Sequence, residues 1–422
     1  SVIHDNLMLF IRSTIENPSF DSQTKEYLTT PSNKFGSSIN ISDKFIEKLA
    51  KMGVLEKAMK LSEYKMDNQL IKTSGKKQNT IRGIPKLEDA NWAGGKNAHE
   101  CTLILTEGDS AKSTAIAGLS VIGRDKYGVF PLRGKLLNVR DAAMEKVKNN
   151  AELSNLVKIM GLQYGKKYTD TKSLRYGSIL ILTDQDVDGS HIKGLVMNWV
   201  EHFWTSLFKI DGFVTSLQTP IVKATKGKKV NSFYTLTAYE NWKKKLNSFK
   251  GYSIKYYKGL GTSTSKEAKE YFKDLDKNKV IYIYDEPSCF TKVFCKDKSN
   301  ERKTWLMNYD RKNILDVKKT KIPCTDFFDK DMIHFSNYDC ERSIPSIVDG
   351  LKISQRKVLY GAFKRNLVKE IKVAQLSGYV SETSCYHHGE QSLNETIISM
   401  AQNFVGSNNI NLLEPIGQFG TR

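Results

Sequence analysis

Residues 101–111 read CTLILTEGDSA, and residues 178–191 read SILILTDQDVDGSH. In each stretch a short apolar run ends in acidic residues and a glycine turn. Apolar runs of this length are typical of strands that are buried on both faces of a parallel sheet. The two stretches therefore predict an α/β domain whose strands end at one sheet edge, where open α/β sheets bind their ligands.

Four carboxylates follow these two runs. Glu107 ends the first, and Asp184, Asp186 and Asp188 follow the second. If the two strands are neighbours, the four side chains meet, and in a low-dielectric setting they need a cation to stay ionised. Ligands that are all oxygen favour Mg²⁺ over zinc. Acidic turns that only cap the following helices are the alternative, but two such clusters favour a metal site.

The composition points to a polyanionic partner. The chain has 422 residues, enough for two to four domains, and 65 Lys and Arg against 46 Asp and Glu give a formal net charge of +19. This charge does not distinguish DNA from RNA or an anionic membrane. No apolar run reaches the ~18–20 residues that span a bilayer, so we expect no membrane insertion. The six cysteines are scattered, as in a reducing compartment.

Other stretches predict the surrounding elements. Residues 192–208 carry apolar side chains at helical spacing and predict a helix packed on the sheet. Residues 221–236 predict a β-hairpin around a glycine turn. Residues 43–70 predict a connecting helix that breaks near its glycine. By composition, residues 71–98 are a linker and residues 275–312 are a solvated extension.

A second basic feature lies near the end of the chain. Residues 351–372 contain seven basic residues and one acidic residue, Glu370. The apolar residues of this stretch share one helical face: Val358, Leu359, Ala362, Phe363 and Leu367. A basic amphipathic helix is usually only a soluble surface, but this excess of positive charge favours phosphate contact without base readout.

Motifs along nearly the whole chain resemble those of type IIA DNA topoisomerases in the eukaryotic form. They are EGDSA (107–111), PLRGK (131–135), DQDVDGSHIKGL (184–195), KYYKGLGT (255–262), ERSIP (341–345) with VDGLK (348–352), YHHGEQSL (386–393) and GQFGTR (417–422). The resemblance implies an α/β Toprim domain with a Rossmann-like parallel sheet and a mainly helical winged-helix domain, preceded by the end of an α+β transducer domain. The implied boundaries are 1–70 for the transducer end and connecting helix, 71–98 for a basic linker, 99–325 for Toprim with its extension, and 326–422 for the winged helix.

The resemblance also implies an activity. It is an ATP-dependent type II topoisomerase that cleaves and religates double-stranded DNA with Mg²⁺ through a 5′-phosphotyrosine link, as a homodimer, in the nucleus. Large DNA viruses carry relatives, so a viral or organellar location stays open.

The family motifs assign roles to particular residues of this chain. The implied metal ligands are Glu107, Asp184, Asp186 and Asp188. The implied catalytic residues are Glu107 and two phosphate clamps, Arg133 and Lys135. The implied DNA contacts are Lys135, Asn138, Tyr257, Lys258, Lys352, Arg356, Lys357, Tyr386, His387 and Ser392. The implied contacts to ATP are Gln23, Thr24 and Lys25, although most of the ATP site belongs to a domain not seen in this sequence.

The nucleophile that the resemblance implies is a tyrosine preceded by arginine, beyond the GQFGTR segment. No tyrosine of residues 1–422 stands in that context, so we expect it outside this sequence. Two alternatives remain. Toprim domains also occur in nucleases and primases, against which the basic winged-helix segment argues. A non-catalytic duplex-binding module would use the carboxylates as helix caps.

Overall fold

The computed structural model describes residues 8, 10, 12, 14–21, 25, 27–36, 38–54, 56, 59, 60, 68–246, 248–257, 259–316, 319–386, 388–404 and 410–418. These residues form a main α/β unit, a small three-stranded sheet and a helical C-terminal part. This is the architecture that the sequence predicts.

Nine strands lie in the described ranges. They are β1 (Thr102–Glu107), β2 (Tyr127–Leu132), β3 (Ser178–Leu182), β4 (Val214–Leu217), β5 (Val222–Lys226), β6 (Lys229–Phe233), β7 (Ser253–Tyr256), β8 (Lys279–Ile283) and β9 (Lys321–Pro323). The main sheet has the order β2-β1-β3-β4-β8-β9, and the small sheet has the order β6-β5-β7. In the main sheet only the pairing of β4 with β8 is antiparallel.

The helices of the same ranges are, in the first half, α1 (Asp43–Leu49), α2 (Gly108–Ile122), α3 (Met144–Asn149), α4 (Ala151–Met160), α5 (Val187–Phe208) and α6 (Leu236–Lys244). In the second half they are α7 (Ser265–Lys273), α8 (Leu275–Asn278), α9 (Ser288–Phe294), α10 (Ser299–Met307), α11 (Cys324–Phe327), α12 (Ile333–Ser343), α13 (Ile353–Lys364), α14 (Val373–Ser384) and α15 (Glu390–Ala401).

The two acidic strands are direct neighbours. β1 and β3 pair in parallel, with Thr106 opposite Leu182. Leu103, Ile104 and Leu105 are fully buried, because helices that connect the parallel strands cover both faces of the sheet. Each acidic strand therefore ends at the same edge, and a helix starts there after each of them: α2 after β1 and α5 after β3.

Helix α5 forms the centre of the main core. Phe203 is the one residue of its predicted apolar stripe that is not buried; the stripe consists of Ile192, Leu195, Val196, Trp199, Val200, Phe203, Trp204, Leu207 and Phe208. Trp199 and Trp204 are among the largest fully buried side chains, so the tryptophans serve packing, as the periodicity indicates. Within the described part of the chain, no helix combines the length and the apolar character that crossing a bilayer requires.

Two predictions from composition are wrong. Residues 71–98 are packed rather than a free linker: Ala90 and Ala93 are buried, and Asp89 accepts a 2.5 Å hydrogen bond from the fully buried side chain of Arg175. Residues 275–312 supply β8 to the main sheet, where Val280 and Tyr282 are buried. The apolar segments are short and have charged neighbours, so the average composition of each stretch is polar although part of it is buried.

The small sheet confirms the predicted hairpin. Strands β5 and β6 are antiparallel, with Lys226 opposite Lys229 at the turn, and β7 pairs with the other edge of β5. Helix α6 covers this sheet, and Tyr239 packs with Phe233 and Val222 in a separate small core.

Helices α13, α14 and α15 pack around a third core that includes Val358, Val380 and Leu393. Phe363, which shares the apolar helical face in the sequence, is 78% exposed. Near the start of the chain, α1 is followed by a π-type turn in which Gly53 has φ +80°, so the predicted break lies where the sequence places it. Residues 55, 57, 58 and 61–67 of that predicted helix are outside the described residues.

Candidate metal and nucleic-acid site

Glu107, Asp184 and Asp186 lie at one edge of the main sheet. Glu107 is the last residue of β1, and its Oε2 accepts a 3.3 Å hydrogen bond from the backbone N–H of Asp184. Asp186 caps the N-terminus of α5 by accepting a 2.8 Å hydrogen bond from the backbone N–H of Gly189. The parallel pairing of β1 with β3 thus brings together carboxylates that are far apart in sequence.

The electrostatics of these carboxylates call for a cation. Burial, followed by the charges of Asp184 and Asp186, raises the pKa of Glu107 to about 7. Burial also raises the pKa of Asp184, although a hydrogen bond from the Leu260 N–H acts in the opposite direction. The edge therefore carries more negative charge than its half-buried surroundings stabilise. A donor set made of oxygens alone fits Mg²⁺.

The ligand oxygens of Glu107, Asp184 and Asp186 are not all within 4.8 Å of one another. Among the described residues, one group of three potential ligands has all its ligand atoms within 4.8 Å of one another: Asp141, Cys295 and Asp297. That group lies at the surface, with both carboxylates exposed, and we assign it no ligand. The wider spacing of Glu107, Asp184 and Asp186 agrees with the mutual repulsion of like charges.

The KGLGT motif holds Asp184 in place. The backbone N–H of Leu260 donates a 2.6 Å hydrogen bond to Oδ1 of Asp184. A Cβ atom at Gly259 would lie 2.2 Å from Oδ2 of the same carboxylate, so any side chain there would displace it. Gly259 has extended backbone angles, φ −176° and ψ 175°, and the requirement for glycine is therefore one of space and not of conformation.

The Asp188 carboxylate is paired with two cationic side chains, those of Lys135 and Arg342. Lys135 Nζ lies 2.6 Å from its Oδ1, and Arg342 donates from both terminal nitrogens at 3.2 Å. Burial alone would raise the pKa of Asp188, but the hydrogen bonds from Lys135 and Arg342 lower it overall. Its role as a metal ligand stays a prediction, and in this structure both of its oxygens already accept hydrogen bonds.

Arg342 and Phe335 are site residues to which the sequence assigns no role. The Phe335 ring lies beneath both cations, 4.6 Å from Lys135 Nζ and 5.6 Å from the guanidinium carbon of Arg342. His191 stacks on the same ring at 3.9 Å, and burial, then the charge of Lys135, lowers its pKa to about 4. Arg342 belongs to the ERSIP motif, which could have identified it, whereas no sequence signal distinguishes Phe335 from other core phenylalanines.

The remaining residues of the PLRGK region divide into two kinds. Arg133 follows Leu132, the residue paired with Glu107, and its exposed side chain starts at the same sheet edge. Asn138 is used within the protein: its amide nitrogen donates to the Phe294 carbonyl at 2.9 Å, and its oxygen accepts from Asn198 at 3.0 Å. A DNA contact by Asn138, which stays a prediction, would have to compete with these bonds.

A basic cleft joins α12 to the C-terminal helices. Its volume is about 290 Å³. The residues that line it include Tyr338, Arg342, Lys352, Lys357, Tyr386, His388 and Ser392. Lys352 is exposed, and Arg356, also exposed, pairs with Asp349 at 2.8 Å. Since Arg342 also contacts Asp188, the cleft reaches the acidic edge.

Two predicted DNA contacts have their hydroxyls directed into the protein. Tyr386 is 5% exposed and packs in the core of the C-terminal helices, with its hydroxyl 3.3 Å from Ser392 Oγ. Tyr257 donates its hydroxyl to Glu267. The Tyr386 ring fills space between α13 and α15 and also lines the basic cleft, and a DNA contact by it stays a prediction.

Some predicted contacts fall outside the described residues: Gln23, Thr24, Lys258 and His387. Lys25, predicted to reach ATP, is described, and its Nζ lies 5.7 Å from the Phe20 ring. The neighbouring His388 accepts from or donates to the Tyr338 hydroxyl at 3.1 Å, on the wall of the cleft.

Four family models match successive parts of the chain. Residues 1–79 match DNA gyrase B, and residues 102–210 match the Toprim domain. Residues 217–340 match the C-terminal associated domain of Toprim, and residues 342–422 match the A-type subunit of DNA gyrase and topoisomerase IV. The order agrees with that of the motifs.

Curated relatives match the chain over its whole length. It is 54% identical to DNA topoisomerase 2 of Drosophila melanogaster over 438 residues and 52% identical to DNA topoisomerase 2-alpha of Homo sapiens over 439 residues. Each alignment covers 100% of this chain, but only 30% and 29% of those relatives, so the chain spans less than a third of their length.

A solved structure is also similar. The topoisomerase II DNA-binding, cleavage and re-ligation domain of Plasmodium falciparum is 55% identical, with a TM-score of 0.71 over 81% of this chain and 47% of that one. The acidic sheet edge, the basic cleft and these likenesses agree with one another. The chain belongs to the eukaryotic DNA topoisomerase 2 family.

Proposed function

We propose that this chain is the part of an ATP-dependent type II DNA topoisomerase that holds the metal site and much of the DNA-contacting surface. The observation that supports this most directly is the hydrogen bond between Asp184 and Glu107 at the sheet edge where Asp188 pairs with the cations Lys135 and Arg342. Acidic residues for a metal and basic residues for phosphate are the two requirements of phosphodiester transfer. The predicted boundaries 1–70, 99–325 and 326–422 are retained as part of this proposal, whereas residues 71–98 are not retained as a free linker.

The carboxylates Glu107, Asp184 and Asp186 would hold Mg²⁺. When bound, the ion stabilises negative charge on the phosphate and on the leaving 3′ oxygen. The protein's own contribution is to hold the carboxylates in place: the Leu260 N–H holds Asp184, and the α5 N-terminus holds Asp186. Glu107, with its raised pKa, is partly protonated near neutral pH until a cation is present.

Lys135 and Arg342 would contact the reacting phosphate. Both are held near Phe335 and Asp188, so that their positions are set before DNA arrives. Positive charge placed where the transition state gains negative charge lowers the barrier. Arg133, at the same edge, would bind a neighbouring phosphate oxygen.

Lys352, Arg356 and Lys357 would position the duplex through its phosphates. Lys352 and Lys357 line the cleft that reaches Arg342, and Arg356 is exposed on α13 next to Lys357. Contacts of this kind set the register of the duplex without reading its sequence. The attacking tyrosine would come from outside residues 1–422, on the other protomer of a homodimer.

ATP binding, nuclear location and strand passage complete the proposal by family resemblance. Lys25 would contribute to the nucleotide contacts together with Gln23 and Thr24. These parts rest on the similarity to the curated relatives and on the match of residues 1–79 to DNA gyrase B.

The decisive experiment is cleavage of supercoiled plasmid by the full-length protein that carries this chain. Glu107→Gln should abolish cleavage and relaxation in Mg²⁺, while binding to duplex DNA in EDTA stays unchanged. Asp109→Asn is the matched control, because Asp109 lies two residues away, is exposed and pairs with Lys86 at 2.6 Å.

Two results would overturn the proposal. One is cleavage by Glu107→Gln at the wild-type rate. The other is wild-type cleavage without protein covalently attached to the 5′ end, which would identify a nuclease instead.

A further inference from the structure

The small sheet carries a concentration of lysine that the acidic edge and the basic cleft do not use. Residues 222–256 contain nine lysines and one acidic residue, Glu240. Two of the lysines are neutralised by α7: Lys223 pairs with Glu270 at 3.0 Å, and Lys255 pairs with Glu267 at 2.8 Å. The other seven have no carboxylate within 4 Å among the residues that the structure describes.

These lysines gather at one end of the small sheet, which we call the lysine end. It comprises Lys226, Lys228 and Lys229 at the hairpin turn, Lys243, Lys244 and Lys245 at the end of α6, and Lys250 in the following loop. All seven side chains are exposed, so their charges are open to a partner.

Aromatic contacts bring the three segments together. The hairpin turn reaches the start of β7, where Lys226 Nζ lies 5.1 Å from the Tyr252 ring. Helix α6 runs back along the sheet, so that Trp242 packs on the same Tyr252 ring at 5.2 Å. Beside it, Lys243 Nζ lies 5.6 Å from the Phe249 ring. Hairpin turn, helix end and loop therefore form one continuous surface.

Local structure stabilises only some of the lysines at the lysine end. Lysines at the C-terminus of α6 are favoured by the helix dipole. The hairpin lysines have no such stabilisation, and Lys226 and Lys229 face each other across the strand pair. Like charges in that position repel each other. A bound polyanion would remove the repulsion.

We infer that the lysine end binds the phosphate backbone of duplex DNA as a surface separate from the acidic edge. Lysines present mobile point charges and no bidentate fork, which suits phosphate contact without base readout. The Tyr252 and Phe249 rings lie beside the ammonium groups of Lys226 and Lys243 and hold these two lysines at the surface. The choice of DNA over another polyanion rests on the proposed function.

The lysine end and the acidic edge lie at different ends of strand β7. Ser253 starts this strand beside the lysine end, and Leu260, beyond its other end, donates to Asp184. The four residues of β7 span roughly 13 Å at about 3.3 Å per residue. We therefore expect a short duplex at the acidic edge to leave the lysine end accessible to a second one.

The test counts short duplexes per chain. With a duplex of about one helical turn, ~10–12 bp, sedimentation at low salt should show two duplexes bound per wild-type chain. Neutralising K228Q/K229Q/K244Q/K245Q should reduce this to one and flatten the salt dependence of binding. The matched control K44Q/K48Q/K303Q/K312Q removes the same charge from exposed lysines elsewhere and should still bind two. Thermal unfolding checks that both variants fold.

A second variant separates this inference from the proposed function. K352A/R356A/K357A should lose the other duplex and keep the one at the lysine end. Plasmid cleavage by Glu107→Gln tests the topoisomerase proposal independently, since that residue lies outside the lysine end.

The inference is overturned if the lysine-end variant and its control bind the same number of duplexes with the same salt dependence. It is also overturned if poly-glutamate binds the wild-type chain as tightly as duplex DNA and loses binding in the same variant. That second result would assign the lysine end to an acidic protein segment.

Discussion

Arg342 and Asp188, 154 residues apart in sequence, form a two-point ion pair in which Nη1 and Nη2 of the arginine each lie 3.2 Å from a carboxylate oxygen. The pair connects α12, which precedes the C-terminal helices, to the start of α5 at the acidic sheet edge. Lys135 contacts the same carboxylate at 2.6 Å. The acidic sheet edge and the basic cleft are therefore joined through one aspartate.

Removing this arginine should destabilise the fold. Arg342→Met leaves the partly buried Asp188 with Lys135 as its remaining cation, and we expect a loss of about 1–3 kcal/mol in the free energy of unfolding at pH 7. Urea denaturation measures it. Arg356→Met is the control, because its pair with Asp349 is exposed and should contribute little to the free energy of unfolding. If both variants lost the same free energy of unfolding, the pair of Arg342 with Asp188 would not be the stronger of the two ion pairs.

The same pair should show a defined pH dependence. The pKa of Asp188 is lowered in the folded protein, so its stabilising contribution is present above the pKa of the unfolded chain and is lost as the pH falls through the folded value. The difference in stability between wild type and Arg342→Met should accordingly shrink below about pH 4.

Glu107 should show the opposite pH dependence. Its pKa is raised to about 7 in the folded protein, so the metal-free fold loses stability as the pH rises from the unfolded value of the carboxyl towards 7. Glu107→Gln removes the charge and should raise the melting temperature of the metal-free protein at pH 8 more than at pH 5. Mg²⁺ should raise the melting temperature of the wild type at pH 8 and raise that of the variant much less. If Glu107→Gln were less stable than the wild type at pH 8 without metal, the ionised Glu107 side chain would not destabilise the metal-free fold, and this prediction would be wrong.

Gly259→Ala should damage metal binding without unfolding the chain. The added Cβ would lie 2.2 Å from Asp184 Oδ2, and the carboxylate must move, whereas the extended backbone of this residue accepts alanine. We expect at least about a tenfold loss of Mg²⁺ affinity, of the size seen when groups that orient ligands are lost. Isothermal titration measures it.

Gly261→Ala is the matched control, because a Cβ there meets Ser110 at an ordinary 3.4 Å. It should bind Mg²⁺ like the wild type. Equal affinity of the two variants would mean that the KGLGT motif does not position Asp184.

Tyr386→Phe should leave duplex affinity unchanged. The ring is buried and its hydroxyl lies 3.3 Å from Ser392 Oγ, so the substitution removes one internal hydrogen bond worth about 1 kcal/mol. Fluorescence anisotropy with labelled duplex and urea denaturation provide the two measurements. A marked loss of affinity with no change in stability would show that the Tyr386 hydroxyl contacts DNA.

Local patterns were sufficient for the central elements. The apolar runs before Glu107 and Asp184 predict two buried parallel strands, and the rule that ligands gather at the carboxyl ends of such strands predicts that these carboxylates meet. The stripe of α5 and the hairpin of β5 and β6 are confirmed for the same reason. The spacing of apolar residues is set by residues close together in the chain, and the same spacing determines which side chains are buried in the folded structure.

Averages over a stretch were misleading. The charged composition of residues 275–312 conceals β8, and the polar residues of 71–98 conceal a segment that supplies Asp89 to the buried Arg175. Burial depends on what packs against a segment, and composition does not contain that information.

The amino-acid order thus establishes the acidic strands, their helices and the family motifs, because each of these follows from residues close together in the chain. Folding in three dimensions settles which partners the site residues take: Leu260 for Asp184, Arg342 for Asp188, and a buried place for Tyr386. Those pairings join elements far apart in sequence, and they arise from the packing of whole helices and strands, which no local pattern encodes.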